Sequence, residues 1–202
     1  ENAFRYANIS LANQFALAYP QINLREVLEL ASTKWNMEYY YPSLGIGGHC
    51  IPVAARYCLD GAQRVNELTI LKTAIRSENS IIDFIIDKIK NSNISKVAII
   101  GVSYMKGIKV STFSPALQIC SLLHANKIKF SVFDENFSSK EIANLTGTYG
   151  VSLDQAISDS DALVIISEPN DNAIVNPLKE GSFKLVIDNV DRYSFLRKKE
   201  QT

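Results

Sequence analysis

The hydrophobic period of this chain changes once, and that change limits its possible folds more than any other feature. Four short β-branched runs appear only after residue 95: "KVAIIG" (96–101), "KFSVFD" (129–134), "ALVIIS" (162–167) and "KLVID" (184–188). Runs of this kind are typical of strands buried on both faces. Helical patterns separate them, at about 115–126, 138–145, 153–158 and 171–179. Strand–helix alternation predicts a parallel sheet covered on both sides. Ligands of such sheets bind beyond the carboxyl ends of the strands.

Before residue 90 the period is helical. In "ENAFRYANISLANQFALAYP", Phe4, Ala7, Leu11 and Phe15 share one face, and Pro20 closes the segment. Asn23 can cap a second helix, "LREVLELASTKW", with Val27, Leu28 and Ala31 inward. An irregular stretch follows from Asn36 to Cys50. A long helix is expected from about Glu67 to Lys90, its apolar stripe running through Leu71, Ala74, Ile81, Ile85 and Ile89. The polar break "NSNIS" (91–95) marks a boundary between a helical domain, 1–91, and an α/β domain, 92–202.

Composition narrows the function classes. Of the 202 residues, 47% are hydrophobic, and 21 Lys and Arg balance 21 Asp and Glu. A neutral chain gives no reason to expect nucleic acid or an acidic membrane surface as a partner. No apolar run approaches the roughly 20 residues that span a bilayer. The cysteines, Cys50, Cys58 and Cys120, are few and scattered. That pattern argues for a reducing, cytoplasmic compartment and against a disulfide framework. With His49 and His124 they form no zinc spacing. The chain opens on Glu1 inside a helical pattern rather than on Met, as expected for a piece of a longer polypeptide.

The stretch "LGIGGHCIPVA" (44–54) carries the most chemistry. Pro52 is suited to the first position of a helix, "PVAARYCL", because its missing N–H would be unpaired there anyway. Cys50 would then lie just ahead of a helix N-terminus, where the dipole favours a thiolate. Gly47 and Gly48 allow close backbone approach to a ligand, and their amides could face an oxyanion. The same residues also suit a small buried cysteine after a glycine turn, and both readings stand at this point. Cys58 and Cys120 read as structural. His49 could polarise the thiol or only bond locally. Tyr39, Tyr40 and Tyr41 could line a pocket or anchor a loop. "LRKKEQT" reads as a solvated tail.

"YYYPSLGIGGHCIPVAARYCL" resembles the catalytic-cysteine loop of the UDP-glucose/GDP-mannose dehydrogenase family. Its UDP-N-acetylhexosamine branch, which includes UDP-N-acetyl-D-mannosamine dehydrogenases, carries PGPGIGGHCIPVDPYYL there. "ENAFRYANISLANQF" is similar to the family helix ENxxRxxNIAxxNE. "KVAIIGVSYMKGIKVSTFSPALQI" is similar to GLAFKPNTDDxRESPALEI. The resemblance implies an α/β protein with a helical central dimerisation domain followed by a Rossmann-like parallel-sheet UDP-binding domain. It implies NAD as cofactor, bound mainly by an N-terminal domain not in this chain. "GVSYMKG" has the wrong glycine spacing for a dinucleotide fingerprint. It implies a UDP-sugar substrate, a homodimer through the central helices, and a role in surface polysaccharide precursor synthesis. The implied reaction oxidises a sugar C6 alcohol twice, through a cysteine thiohemiacetal and thioester. By the resemblance Cys50 is the nucleophile and Asn2 helps hold the water and oxyanion. Gly45, Gly47, Gly48, His49, Tyr41, Tyr104, Lys106 and Ser114 meet the substrate.

Several family positions differ here. The Asp four residues after the cysteine is Ala54, followed by Ala55 and Arg56 in place of Pro and Tyr. Loss of a group that positions or moves protons typically costs roughly 10²–10⁴-fold in rate. The Phe-Lys pair falls at Tyr104 and Met105, with Lys106 one place late. The two Asp of DDxRES fall at Lys109 and Val110, and its Arg at Thr112. A further Arg falls at Val190, near Arg192. A bidentate arginine is not replaced by Thr or Val. The chain is therefore expected to be either a divergent dehydrogenase with relocated charges or a catalytically impaired UDP-sugar-binding or dimerisation module of the same fold.

Overall fold

The computed structural model describes residues 1–169, 174 and 183–189. The expected helix 171–179 (apart from Ile174), Val190, Arg192 and the basic tail lie outside the described residues. The chain divides into two compact units, Glu1–Phe84 and Ile85–Thr202. The division falls inside a helix, ahead of the polar break at 91–95 that the sequence suggests.

The first unit is helical. Helix α1 spans Asn2–Ala18, α2 Leu24–Ala31 and α3 Cys50–Asp60. A 3-10 turn at Val65–Glu67 leads into α4, Thr69–Asn91. The Asn23 side chain caps α2 as expected, accepting the Glu26 N–H. The predicted stripe of α4 is buried at Leu71, Ala74, Ile81, Ile85 and Ile89. The core of the unit gathers Tyr6, Ile46, Ala55, Leu71 and Ala74.

Two expectations are corrected in this unit, one in α2 and one in α3. The Phe4, Leu11 and Phe15 side of α1 is exposed, at 78%, 49% and 43%. The buried side carries Tyr6, Ser10, Ala12 and Asn13, and Asn13 ties α1 to the loop at Ser43. In α2, Val27 is exposed and Leu28 and Ala31 are only half-buried. Helix α3 begins at Cys50, two residues before Pro52. A proline inside a first turn removes no helical hydrogen bond, so it fits there equally well.

The second unit is the expected α/β layer structure. Strands β1 (Lys96–Ile100), β2 (Lys129–Phe133), β3 (Ala162–Ile165) and β4 (Leu185–Asp188) form one parallel sheet in the order β2-β1-β3-β4. Each coincides with a predicted run. Helices α5 (Pro115–Ala125), α6 (Ser139–Thr146) and α7 (Leu153–Ser158) connect them. Ser114, Ser138 and Ser152 cap the three helices, and Ser138 forms a capping box with Glu141. Every residue of β3 is buried, and Ala98, Ile100, Leu163, Ile165 and Ile174 share one core. The chain reverses its direction of travel across the sheet between β1 and β3, which sets the crevice beyond their carboxyl ends.

Candidate active site

The cysteine loop is fastened to the helices of its own unit. The Ser43 N–H donates to Asn13 Oδ1 of α1 at 2.7 Å, and Ser43 Oγ donates to the Gly45 carbonyl at 3.0 Å. Leu44 and Ile46 are buried and anchor the loop in the core. The Ile46 N–H donates to the Glu78 carboxylate of α4. Gly48 has φ +86°, a conformation L side chains rarely adopt, and it turns the chain into α3. His49 is the N-cap residue, its carbonyl accepting the Val53 N–H at 3.1 Å.

Cys50 therefore stands in the first turn of α3 and is exposed, as is His49. A thiol with these surroundings is reachable by a substrate, and it stands at the positive end of the helix dipole. The alternative of a buried structural cysteine fits Cys120, not Cys50. Burial pushes the Cys120 thiol up to about 12. Cys58, read as structural, is exposed near the end of α3.

Asn2 lies in the first turn of α1. Its neighbour Ala3 and Ile51, next to Cys50, pack against the same apolar cluster. Gly45 and Gly47 are half-buried. Tyr41 is engaged on two sides by α2: its hydroxyl donates to Glu29 Oε1 at 2.8 Å, and the Arg25 guanidinium lies 3.7 Å from its ring centre. Tyr39 meets it edge-on at 5.0 Å. Ala54, in the position of the family carboxylate, is half-buried.

Glu78 escaped the sequence reading, although the signal was present. The α4 stripe advances by three and four residues through 71, 74, 81 and 85, and position 78 completes that series. It holds a glutamate. Its carboxylate also hydrogen-bonds with the Tyr6 hydroxyl and faces the Arg56 guanidinium. Desolvation holds the Glu78 carboxyl above the usual carboxylate range, against the downward pull of the Ile46 N–H and Arg56. Burial, reinforced by the Glu78 charge, pushes the Tyr6 hydroxyl up as well.

In the second unit, the β1–α5 loop is closed by an internal carboxylate. Asp134, at the end of β2, accepts the N–H groups of Val102 at 2.7 Å and Ser103 at 3.0 Å, and that of Asn136 at 2.8 Å. Ser103 Oγ donates to the Ile108 carbonyl and holds the loop back on itself. Gly101, at φ +92°, lies against Ser167: a Cβ there would sit 2.2 Å from Ser167 Oγ. The amides that would cradle a dinucleotide pyrophosphate are already occupied.

Tyr104 is half-buried, and Lys106 Nζ lies 3.7 Å from Glu168. Lys109 pairs with Glu141 at 2.7 Å. Thr112 is exposed. Ser114 is buried as the N-cap of α5, and Phe113 before it has φ +50°, which bends the loop into the helix. A small pocket beyond the strand ends is bordered by Gly101, Gly107, Asp134, Ser167 and Glu168. Among the described residues no group of His, Cys, Asp and Glu could hold a metal ion, and no helix is long and apolar enough to cross a membrane.

A helical unit presenting a cysteine at a helix start is followed by a parallel α/β unit, a two-part architecture that comparison with known proteins assigns to a family. Residues 1–80 match the central domain of the UDP-glucose/GDP-mannose dehydrogenase family, and residues 98–188 match its UDP binding domain. The chain belongs to that family. It is similar to the UDP-N-acetyl-D-mannosamine dehydrogenase of Methanocaldococcus jannaschii, with 31% identity over 83% of this chain and 38% of that protein. Its fold is that of the UDP-D-ManNAc dehydrogenase of Pyrococcus horikoshii, with a TM-score of 0.75, 24% identity, and coverage of 100% of this chain and 48% of that one. The UDP-glucose dehydrogenase of Pyrobaculum islandicum is similar in fold at a TM-score of 0.77, with 18% identity over 93% of this chain and 45% of that one. The chain spans less than half the length of the curated relatives it matches.

Proposed function

We propose that this chain is the central and C-terminal portion of a cytoplasmic, NAD-dependent nucleotide-sugar 6-dehydrogenase for surface polysaccharide precursors, whose substrate is a UDP-N-acetylhexosamine, foremost UDP-N-acetyl-D-mannosamine. The observation that carries this reading is the exposed Cys50 at the first turn of α3, behind the Gly48 turn.

The hydride chemistry belongs to NAD, which residues outside this chain hold. This chain supplies the covalent half. The Cys50 thiolate adds to the C6 aldehyde carbon and the carbonyl oxygen takes up a proton, giving a thiohemiacetal. Loss of a hydride and a proton from C6 and its hydroxyl leaves a thioester. Water then attacks the thioester carbonyl, the C–S bond breaks, and the uronic acid leaves as the thiol is restored. We assign Asn2 to the water and oxyanion. Gly45, Gly47, Gly48, His49 and Tyr41 are assigned to the sugar side, and Tyr104, Lys106 and Ser114 to UDP. The α5 start suits phosphate oxygens. The exposed Phe4, Leu11 and Phe15 face of α1 supports a homodimer through the central helices, which light scattering tests.

NADH production by the full-length gene product, with UDP-N-acetylmannosamine, UDP-N-acetylglucosamine and UDP-glucose in turn, tests the reading. Reduction that depends on a UDP-N-acetylhexosamine is expected. A second reading, a UDP-sugar-binding module with impaired catalysis, is favoured by the methyl group of Ala54 where the family has a carboxylate. UDP binding by calorimetry without NADH from any sugar would select it.

A further inference from the structure

Glu78 stands where an apolar residue would complete the α4 stripe. Glu78 is half-buried, and desolvating a carboxylate is costly unless its charge is met. What the carboxylate supplies, and an apolar group cannot, is an acceptor for the Ile46 N–H. Ile46 is 7% exposed, so that amide would otherwise be orphaned in the core. The same carboxylate meets Tyr6 from α1 and Arg56 from α3, the helix that Cys50 opens. Its Oε2 is buried without a hydrogen-bond partner among the described residues. Asn13 holds the loop at Ser43, and Glu78 holds it at Ile46. Between this second tie and Cys50 only three residues remain, two of them glycines.

We propose that Glu78 is the positioning residue of the cysteine loop, fastening Ile46 so that Cys50 opens α3. This rests on the reading of Cys50 as the nucleophile, but its test needs no turnover. Glu78 acts through the backbone and through Arg56, from below the loop, rather than on the sugar itself.

The chain carries its own controls in three cysteines. Iodoacetamide labelling, mapped by peptide mass, follows Cys50 at the loop, Cys58 toward the other end of the same helix, and Cys120 in the sheet unit. Glu78→Leu is expected to slow Cys50 alkylation near neutral pH by roughly two- to fivefold, the worth of one helix-terminus interaction. The labelling rate of Cys58 should be unchanged. Glu78→Gln keeps the acceptor for Ile46 and should restore the rate. Wild-type labelling of Cys50 in Glu78→Leu, or an equal change at Cys58, overturns the proposal. If Glu78→Leu exposes Cys120, the variant has unfolded, and amide exchange in the unaltered chain decides. The Ile46 amide should then exchange roughly tenfold or more slowly than an open peptide, and free exchange overturns the proposal. If Glu78 governs Cys50 labelling while Cys50→Ser leaves sugar oxidation untouched, this inference survives and the nucleophile assignment fails.

Discussion

The Glu78 carboxylate accepts the backbone N–H of Ile46, four residues ahead of Cys50 in the chain. A charge inside the helical unit thus bears on the one exposed thiol at a helix start. Its folded-state pKa is raised, chiefly by desolvation. Between the unfolded value and the raised folded value the folded state binds more protons, so stability falls as pH climbs through that window. Glu78→Gln should remove this decline and leave the first unit more stable at neutral pH. Denaturant midpoints of both proteins across mildly acidic to neutral pH provide the check.

Gly101 and Gly61 should respond oppositely to alanine. Gly101 has φ +92° and no room for a Cβ beside Ser167. Gly101→Ala should lose roughly 1–3 kcal/mol from backbone strain alone, and more from the clash. Gly61 ends α3 at φ −84°, and its Cβ would meet only the Tyr57 carbonyl at 3.3 Å. Gly61→Ala should change stability by no more than about 1 kcal/mol. Thermal unfolding of the two variants makes the comparison.

Asp134 holds the β1–α5 loop closed. Asp134→Ala would leave the buried amides of Val102 and Ser103 without their acceptor. Each orphaned amide costs about 1–3 kcal/mol, so the loop should open locally before the sheet unfolds. Exchange at those two amides should accelerate in Asp134→Ala while the β3 amides stay protected. Unchanged exchange at Val102 and Ser103 would contradict the assignment.

Cys120 should stay unlabelled in the native protein. Its thiol, pushed up to about 12 by burial, remains neutral while an unfolded cysteine ionises at about 8.5. The folded pKa is the higher one, so this residue's contribution is intact below the unfolded value and is lost as pH rises beyond it. Mildly alkaline solution should therefore label Cys50 and Cys58 first, with Cys120 following only on unfolding.

The sheet was the most legible part of the chain. "KVAIIG", "KFSVFD", "ALVIIS" and "KLVID" each became a strand, because β-branched runs bounded by polar residues have few other uses. Ser114-Pro115 and Asn23 likewise started helices where their side chains can cap. Helix α1 was legible as a helix with a shared apolar face, but not which of its faces is buried. Periodicity shows that Phe4, Leu11 and Phe15 share a side but not what covers that side, and the buried side includes Asn13, which accepts the Ser43 N–H. The start of α3 was set late because proline fits several first-turn positions. Glu78 was passed over because a stripe drawn through its apolar members skips the charged one. Asp134 is not legible because two of its amide partners, Val102 and Ser103, lie more than thirty residues away and reach it only through the pairing of β1 with β2.

Uronic acid formation by the full-length gene product, compared with its Cys50→Ser variant on UDP-N-acetylmannosamine, tests the central claim most directly. The account predicts that the unaltered protein releases the acid. It predicts that Cys50→Ser, folded and still binding UDP, releases none, since serine cannot form the thioester. Acid formation by Cys50→Ser at the unaltered rate would contradict the assignment of Cys50 as the nucleophile.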